Sequence, residues 1–73
     1  MSDENFNMSM RKFLKKVGVT SQQQIEEAVR DAREGGRLPA GTLRAEVVLM
    51  VEGLDLTHRI AGDIAMPDGA ADD

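Results

Sequence analysis

The sequence predicts an α+β domain in the order α-α-β-β, with two N-terminal helices forming an αα-hairpin packed on one face of a C-terminal antiparallel β-hairpin. Three observations carry that expectation. Apolar residues recur at helical spacing through the first half, glycines at Gly18 and Gly35-Gly36 punctuate that half, and from Leu43 onward the apolar spacing changes to period two.

The first helix is expected over about residues 3–17. Phe6, Met10, Phe13, Leu14 and Val17 fall on one stripe of a 3.6-residue helix, and Arg11, Lys12, Lys15 and Lys16 occupy the opposite face. Ser2 or Asp3 can cap its start, and the acidic Asp3 and Glu4 suit the positive end of the helix dipole. Gly18 then supplies a residue suited to a left-handed stop.

Val19-Thr20-Ser21 reads as a tight connection into a second helix over about residues 21–34. Thr20 with Gln23, or Ser21 with Gln24, fits a capping box, and the sequence does not choose between them. Ile25, Ala28, Val29 and Ala32 form the apolar stripe, while Glu26, Arg30 and Glu34 stand at four-residue spacing on the outer face. Gly35-Gly36 ends the helix, and the segment from Arg37 to Gly41, with Pro39 inside it, crosses to the sheet. Leu38 is its expected anchor in the core.

From Leu43 to Ile64 the chain reads as one β-hairpin with strands over about 43–51 and 54–65. Leu43, Ala45, Val47, Leu49 and Val51 alternate, then the parity changes to Leu54, Leu56, Ile60 and Ile64, with His58 in phase. A change of parity across the turn requires a loop of even length if both apolar sets are to share one face. A two-residue loop at Glu52-Gly53, with paired residue numbers summing to 105, is the preferred register. A four-residue loop, with sums of 107, preserves the same face. The preferred register places His58 opposite Val47 and Glu46 opposite Arg59. The expected centre of the core is Phe13, Leu14, Val17, Ile25, Val29, Val47, Leu49, Leu56 and Ile60.

These elements compose a single domain over residues 1–67. After Met66 and Pro67 the remaining 68–73 are Gly, Ala and Asp, an acidic tail expected to be disordered because it has too little apolar surface to offset the entropy of ordering.

Seventy-three residues without cysteine exclude a disulfide framework and a thiolate metal site, so packing or a partner must sustain the fold. The acidic N-terminus lacks a signal-peptide core, and no apolar run approaches the roughly 20 residues that span a bilayer. A cytoplasmic location without membrane attachment is expected. The net charge of −4 is divided unevenly: residues 1–19 are basic through Arg11, Lys12, Lys15 and Lys16, and everything after them is acidic on balance. That is a weak footprint for phosphate, so nucleic acid is a disfavoured partner.

The run from Phe6 to Gln22, Phe-Asn-Met-Ser-Met-Arg-Lys-Phe-Leu-Lys-Lys-Val-Gly-Val-Thr-Ser-Gln, followed by Ile25-Glu26 and by Gly53-Leu54-Asp55-Leu56-Thr57-His58, resembles a small bacterial family of unknown function. The likeness extends to about Ile64. It implies a small stand-alone protein and carries no activity, ligand or site residue with it.

Chemistry is sparse. His58 is the only histidine, and its nearest acidic neighbours in sequence, Asp55 and Asp63, fall on the opposite face by parity; a structural histidine at the sheet margin is the better account. Ser9, Thr20, Ser21 and Thr57 read as surface or capping residues, so no nucleophile and base come together. Gly35, Gly36 and Gly41 lack phosphate-loop spacing, and Asp63, Asp68, Asp72 and Asp73 lack that of a calcium loop. Catalysis, a cofactor, a metal and a small-molecule ligand are therefore not expected.

Two binding surfaces remain. Val48 and Met50, on the outer face of the first strand, make Val47 to Val51 continuously apolar, the pattern of a strand covered on both sides. The favoured function is a small protein-interaction module that self-associates through the hairpin, as a homodimer, or binds another protein. The alternative is a nucleic-acid-binding regulator with a helix-turn-helix-like N-terminal half and the basic face Arg11, Lys12, Lys15 and Lys16. It is weakened because the second helix, which would enter the groove behind Gln22, Gln23 and Gln24, also exposes Glu26, Glu27, Asp31 and Glu34.

Overall fold

A single helix, α1, runs from Glu4 to Glu34 without interruption. It is the first element of a computed structural model that describes residues 3–67. The chain divides into a helical unit, Met1–Leu38, and a hairpin unit, Pro39–Asp73. The expected αα-hairpin is therefore corrected, since what reads as two helices is one of 31 residues followed by a β-hairpin.

The reason lies at the supposed connection. Gly18 costs a helix about 1 kcal/mol relative to alanine but does not break it, and no proline stands anywhere between Glu4 and Glu34. Its φ is not among the positive ones, which belong to Gly36, Gly41 and Gly53. Thr20, expected as a cap, instead donates its hydroxyl to the Lys16 carbonyl at 2.8 Å, the back-bond of a threonine inside a helix. Ser9 does the same to Phe6 at 3.1 Å. The apolar stripe also keeps its phase: from Val17 it passes through Ser21 to Ile25 and Ala28 at spacings of four, four and three, so nothing asks the chain to turn.

At the N-terminus Asp3 holds the cap position without a side-chain hydrogen bond, its carbonyl accepting the Asn7 N–H at 2.8 Å. Ser2 lies outside the described residues. The C-terminus is more strongly specified. Gly36 adopts φ +71°, its N–H donates to Arg33 at 3.1 Å and the Arg37 N–H donates to Ala32 at 2.8 Å. That pair of bonds is the Schellman stop, which needs a left-handed residue where Gly36 stands.

The hairpin unit has two antiparallel strands, β1 Thr42–Met50 and β2 Thr57–Ala65. Their partners run from Thr42↔Ala65 to Met50↔Thr57, every pair summing to 107. The Met66 N–H donates to Gly41 at 2.8 Å and extends the ladder by one step. The even-loop parity holds, and Leu43, Ala45, Val47 and Leu49 share a face with Ile64, Gly62, Ile60 and His58. The preferred sum of 105 does not hold. The register is that of the four-residue alternative, but the ladder stops at Met50↔Thr57, one pair short of that loop, so β2 begins at Thr57 rather than Leu54, Leu54 and Leu56 belong to the loop, and His58 stands opposite Leu49 instead of Val47.

Glu52-Gly53 is the cause. A two-residue hairpin turn needs positive φ at both central residues or glycine at the first, and here glycine is second. Among the described residues no non-glycine has positive φ, Gly53 has φ +94°, and the Leu54 N–H donates to Val51 at 3.1 Å. Negative φ at Glu52 followed by positive φ at Gly53 is a type II turn. Its twist does not match that of paired strands, so the ladder closes only further back, leaving residues 51–56 as the loop.

Among the described residues no side chain is fully buried. Of the nine expected at the centre of the core, Val17, Val29 and Leu49 are half-buried, as is Leu38, and the other six are exposed, Phe13 at 50 %. An αα-hairpin would have folded the two half-stripes of the helical sequence onto each other. On one straight helix they lie end to end over roughly 46 Å, at about 1.5 Å per residue, and cannot cover one another. The tail, 68–73, lies outside the described residues.

Candidate interaction surface

The strand β1 carries two different sets of side chains. Even positions Thr42, Arg44, Glu46, Val48 and Met50 face away from the half-buried Leu43, Ala45 and Leu49, opposite Ala65, Asp63, Ala61, Arg59 and Thr57. This is the outer face anticipated from the sequence, with its β2 partners moved by two residues. Its upper part is charged: Glu46 binds Arg59 across the strands and Arg44 at 3.2 Å along its own strand. One carboxylate thus holds two guanidinium groups.

Beside the charges lie Val48, 43 % exposed, and Met50, 68 % exposed. Met50 continues into the loop, where Val51, Glu52, Leu54, Asp55 and Leu56 surround a shallow open cleft of about 400 Å³. Leu54 is 64 % exposed. Leu54 and Leu56, expected on the inner face of the second strand, instead extend the apolar surface of Met50. The signal that identifies them is the Glu-Gly order of the turn, which rejects a two-residue loop.

The sequence-predicted basic residues Arg11, Lys12, Lys15 and Lys16 are brought together as expected, within a 140° arc of α1 at about 100° per residue. All four are exposed, opposite the stripe of Phe6, Met10, Phe13 and Val17. Because the helix does not turn at Gly18, Gln22, Gln23 and Gln24 lie in mid-helix. The N-terminal half is not a helix-turn-helix, and among the described residues no separate recognition helix carries those glutamines into a groove.

The remaining chemistry-bearing residues stay apart. His58 lies on β2 with Leu49 as its register partner, while Asp63 is on the other face opposite Arg44. Ser9 and Thr20 are engaged with helix carbonyls. Among the described residues no group of three His, Cys, Asp or Glu side chains is placed to hold a metal ion, and no helix is long and apolar enough to cross a membrane.

A model of a family of unknown function (DUF6494) matches residues 1–67, and the chain belongs to that family. No curated protein and no solved structure matches it.

Proposed function

We propose that this chain is a small non-catalytic protein-interaction module that self-associates through the outer face of its β-hairpin. The observation that supports the reading is the continuity of Val48, Met50 and Leu54, three exposed apolar side chains that run from the strand into the loop beside the Arg44–Glu46–Arg59 cluster. An apolar centre with a charged margin is the usual anatomy of a protein interface. A two-stranded hairpin is marginal alone, and stacking two outer faces about a twofold axis places the same patch on both sides. Such an interface needs no cofactor, and a cytoplasmic setting suits it.

Light scattering across micromolar and higher concentrations tests the proposal. The parent chain is expected to assemble and Met50→Lys to lower the assembled mass by the hairpin contact, because a buried ammonium group at the centre of an apolar contact has no partner. A parent that stays monomeric at every concentration overturns the reading. Salt-sensitive binding of mixed DNA or RNA in a gel-shift titration, abolished by Lys15→Glu, would replace it with a phosphate-binding role for the basic helix face.

A further inference from the structure

The continuous helix has a property that neither half shows alone. Its stripe runs Phe6, Met10, Leu14, Val17, Ser21, Ile25, Ala28, Ala32, at spacings of four, four, three, four, four, three and four. This is an 11-residue repeat of about 3.67 residues per turn, which keeps the stripe along one side of an almost straight helix. Size is graded along it. The N-terminal half carries Phe6, Met10, Phe13 and Leu14, and the C-terminal half carries Ser21, Ala28 and Ala32 beside the larger Ile25 and Val29. Charge is graded too. Residues 4–19 hold Arg11, Lys12, Lys15 and Lys16 against Glu4, whereas residues 20–34 hold Glu26, Glu27, Asp31 and Glu34 against Arg30 and Arg33.

We infer that α1 is a second self-association surface, and that its partner is the α1 of another copy of this chain lying antiparallel to it. A twofold axis at the helix midpoint, Val19, sets residues whose numbers sum to 38 level with each other. Phe6 then meets Ala32, Met10 meets Ala28, Phe13 meets Ile25 and Val17 meets Ser21. Most large side chains of one copy face small ones of the other, which is how two helices interdigitate without voids. A parallel pair would set Phe6 on Phe6 and Ala32 on Ala32, crowding one end and leaving the other hollow.

Charge selects the same direction. Arg11, Lys12, Lys15 and Lys16 lie opposite the stripe and do not enter the contact, so charge acts through the two halves of the helix rather than through ion pairs across the seam. Antiparallel copies lay the basic half of each beside the acidic half of the other, whereas parallel copies align like halves along their whole length. The contact is independent of the hairpin face, so either can fail without the other.

The chain has no cysteine, so introduced thiols report unambiguously. Met10→Cys and Ala28→Cys are prepared as full-length single variants, checked for helix content by circular dichroism, and oxidised alone and as an equimolar mixture in a glutathione buffer. The mixture is expected to give heterodisulfide well above its statistical share, with little homodisulfide from either variant alone, since in the antiparallel pair identical positions stand roughly 27 Å apart at about 1.5 Å per residue. Lys12→Glu with Lys16→Glu in both chains should lower the yield at low salt and leave it unchanged at high salt, because those charges act at a distance rather than in the seam. The yield should persist in a Met50→Lys background, separating this contact from that of the hairpin. Homodisulfides forming as readily as heterodisulfide, no disulfide at all because the hairpin of the same chain or another protein covers the stripe, or loss of heterodisulfide with Met50→Lys would each overturn the inference.

Discussion

Glu46 binds Arg59 although the two are not register partners: Glu46 stands opposite Ala61, and Arg59 opposite Val48. The bond is diagonal, within reach of long side chains across an antiparallel pair. Arg44 binds the same carboxylate from the same strand, so one acidic side chain organises the charged part of the outer face. Glu46→Gln should destabilise the hairpin unit by about 0.2 to 1 kcal/mol, towards the lower value because both arginines are well exposed. A double-mutant cycle with Arg59→Gln, followed by denaturant titration in low and high salt, reads the coupling. A coupling that does not shrink with salt would show that packing rather than charge joins the two residues.

Gly18 gives the sharpest test of the continuous helix. Its φ is not positive, and a Cβ added there would meet nothing within 4 Å. Gly18→Ala should therefore stabilise α1 by up to about 1 kcal/mol, through helix propensity and reduced freedom of the unfolded chain. The melting of the helical circular dichroism signal should move upward. If Gly18 were instead a left-handed residue in an αα-turn, the same substitution would lower it.

Gly36 makes the opposite prediction by the same reasoning. Its φ of +71° is a conformation that costs an L-residue roughly 1 to 2 kcal/mol. Gly36→Ala should fray the last turn of α1 and expose the Arg37 and Gly36 amides to exchange with solvent, visible as lost protection in hydrogen exchange. Unchanged protection of those two amides would mean that the Schellman bonds do not hold the helix end.

These two glycines show how much was legible. Both look like punctuation in the sequence, yet only one is. At Gly36 the stripe ends, a second glycine adjoins and Pro39 follows; at Gly18 the stripe carries on in phase through Ser21, and that polar residue on the apolar side conceals the continuity. The helix ends follow from Asp3 at one and Gly35-Gly36 at the other, and the parity of the hairpin and the outward placement of Val48 and Met50 follow from periodicity, because a face persists over many residues. The register does not, since sums of 105 and 107 bury the same side chains and only the backbone preference of the turn separates them. Leu54 and Leu56 lie in the loop because the ladder stops at Met50↔Thr57, and they extend the apolar surface beside Met50.

The register can be tested at its cause. Glu52 occupies the position where a two-residue type I′ turn demands positive φ, which asparagine tolerates far better than glutamate. Glu52→Asn creates Asn-Gly, the strongest short signal for that turn, without changing any strand residue. The ladder should then close at residues 52 and 53, with partner sums moving from 107 to 105. Glu46 would come directly opposite Arg59, strengthening their ion pair, and Met50 would face Asp55 in place of Thr57. Cross-strand proton contacts measured by nuclear magnetic resonance distinguish the two registers, because the contact between Glu46 and Ala61 should give way to one between Glu46 and Arg59. The inner face is unchanged in either case, so burial does not oppose the shift. Retention of the Glu46 and Ala61 contact would show that Val51, Leu54 and Leu56 hold the six-residue loop through their own packing, and that turn chemistry is not what sets the register.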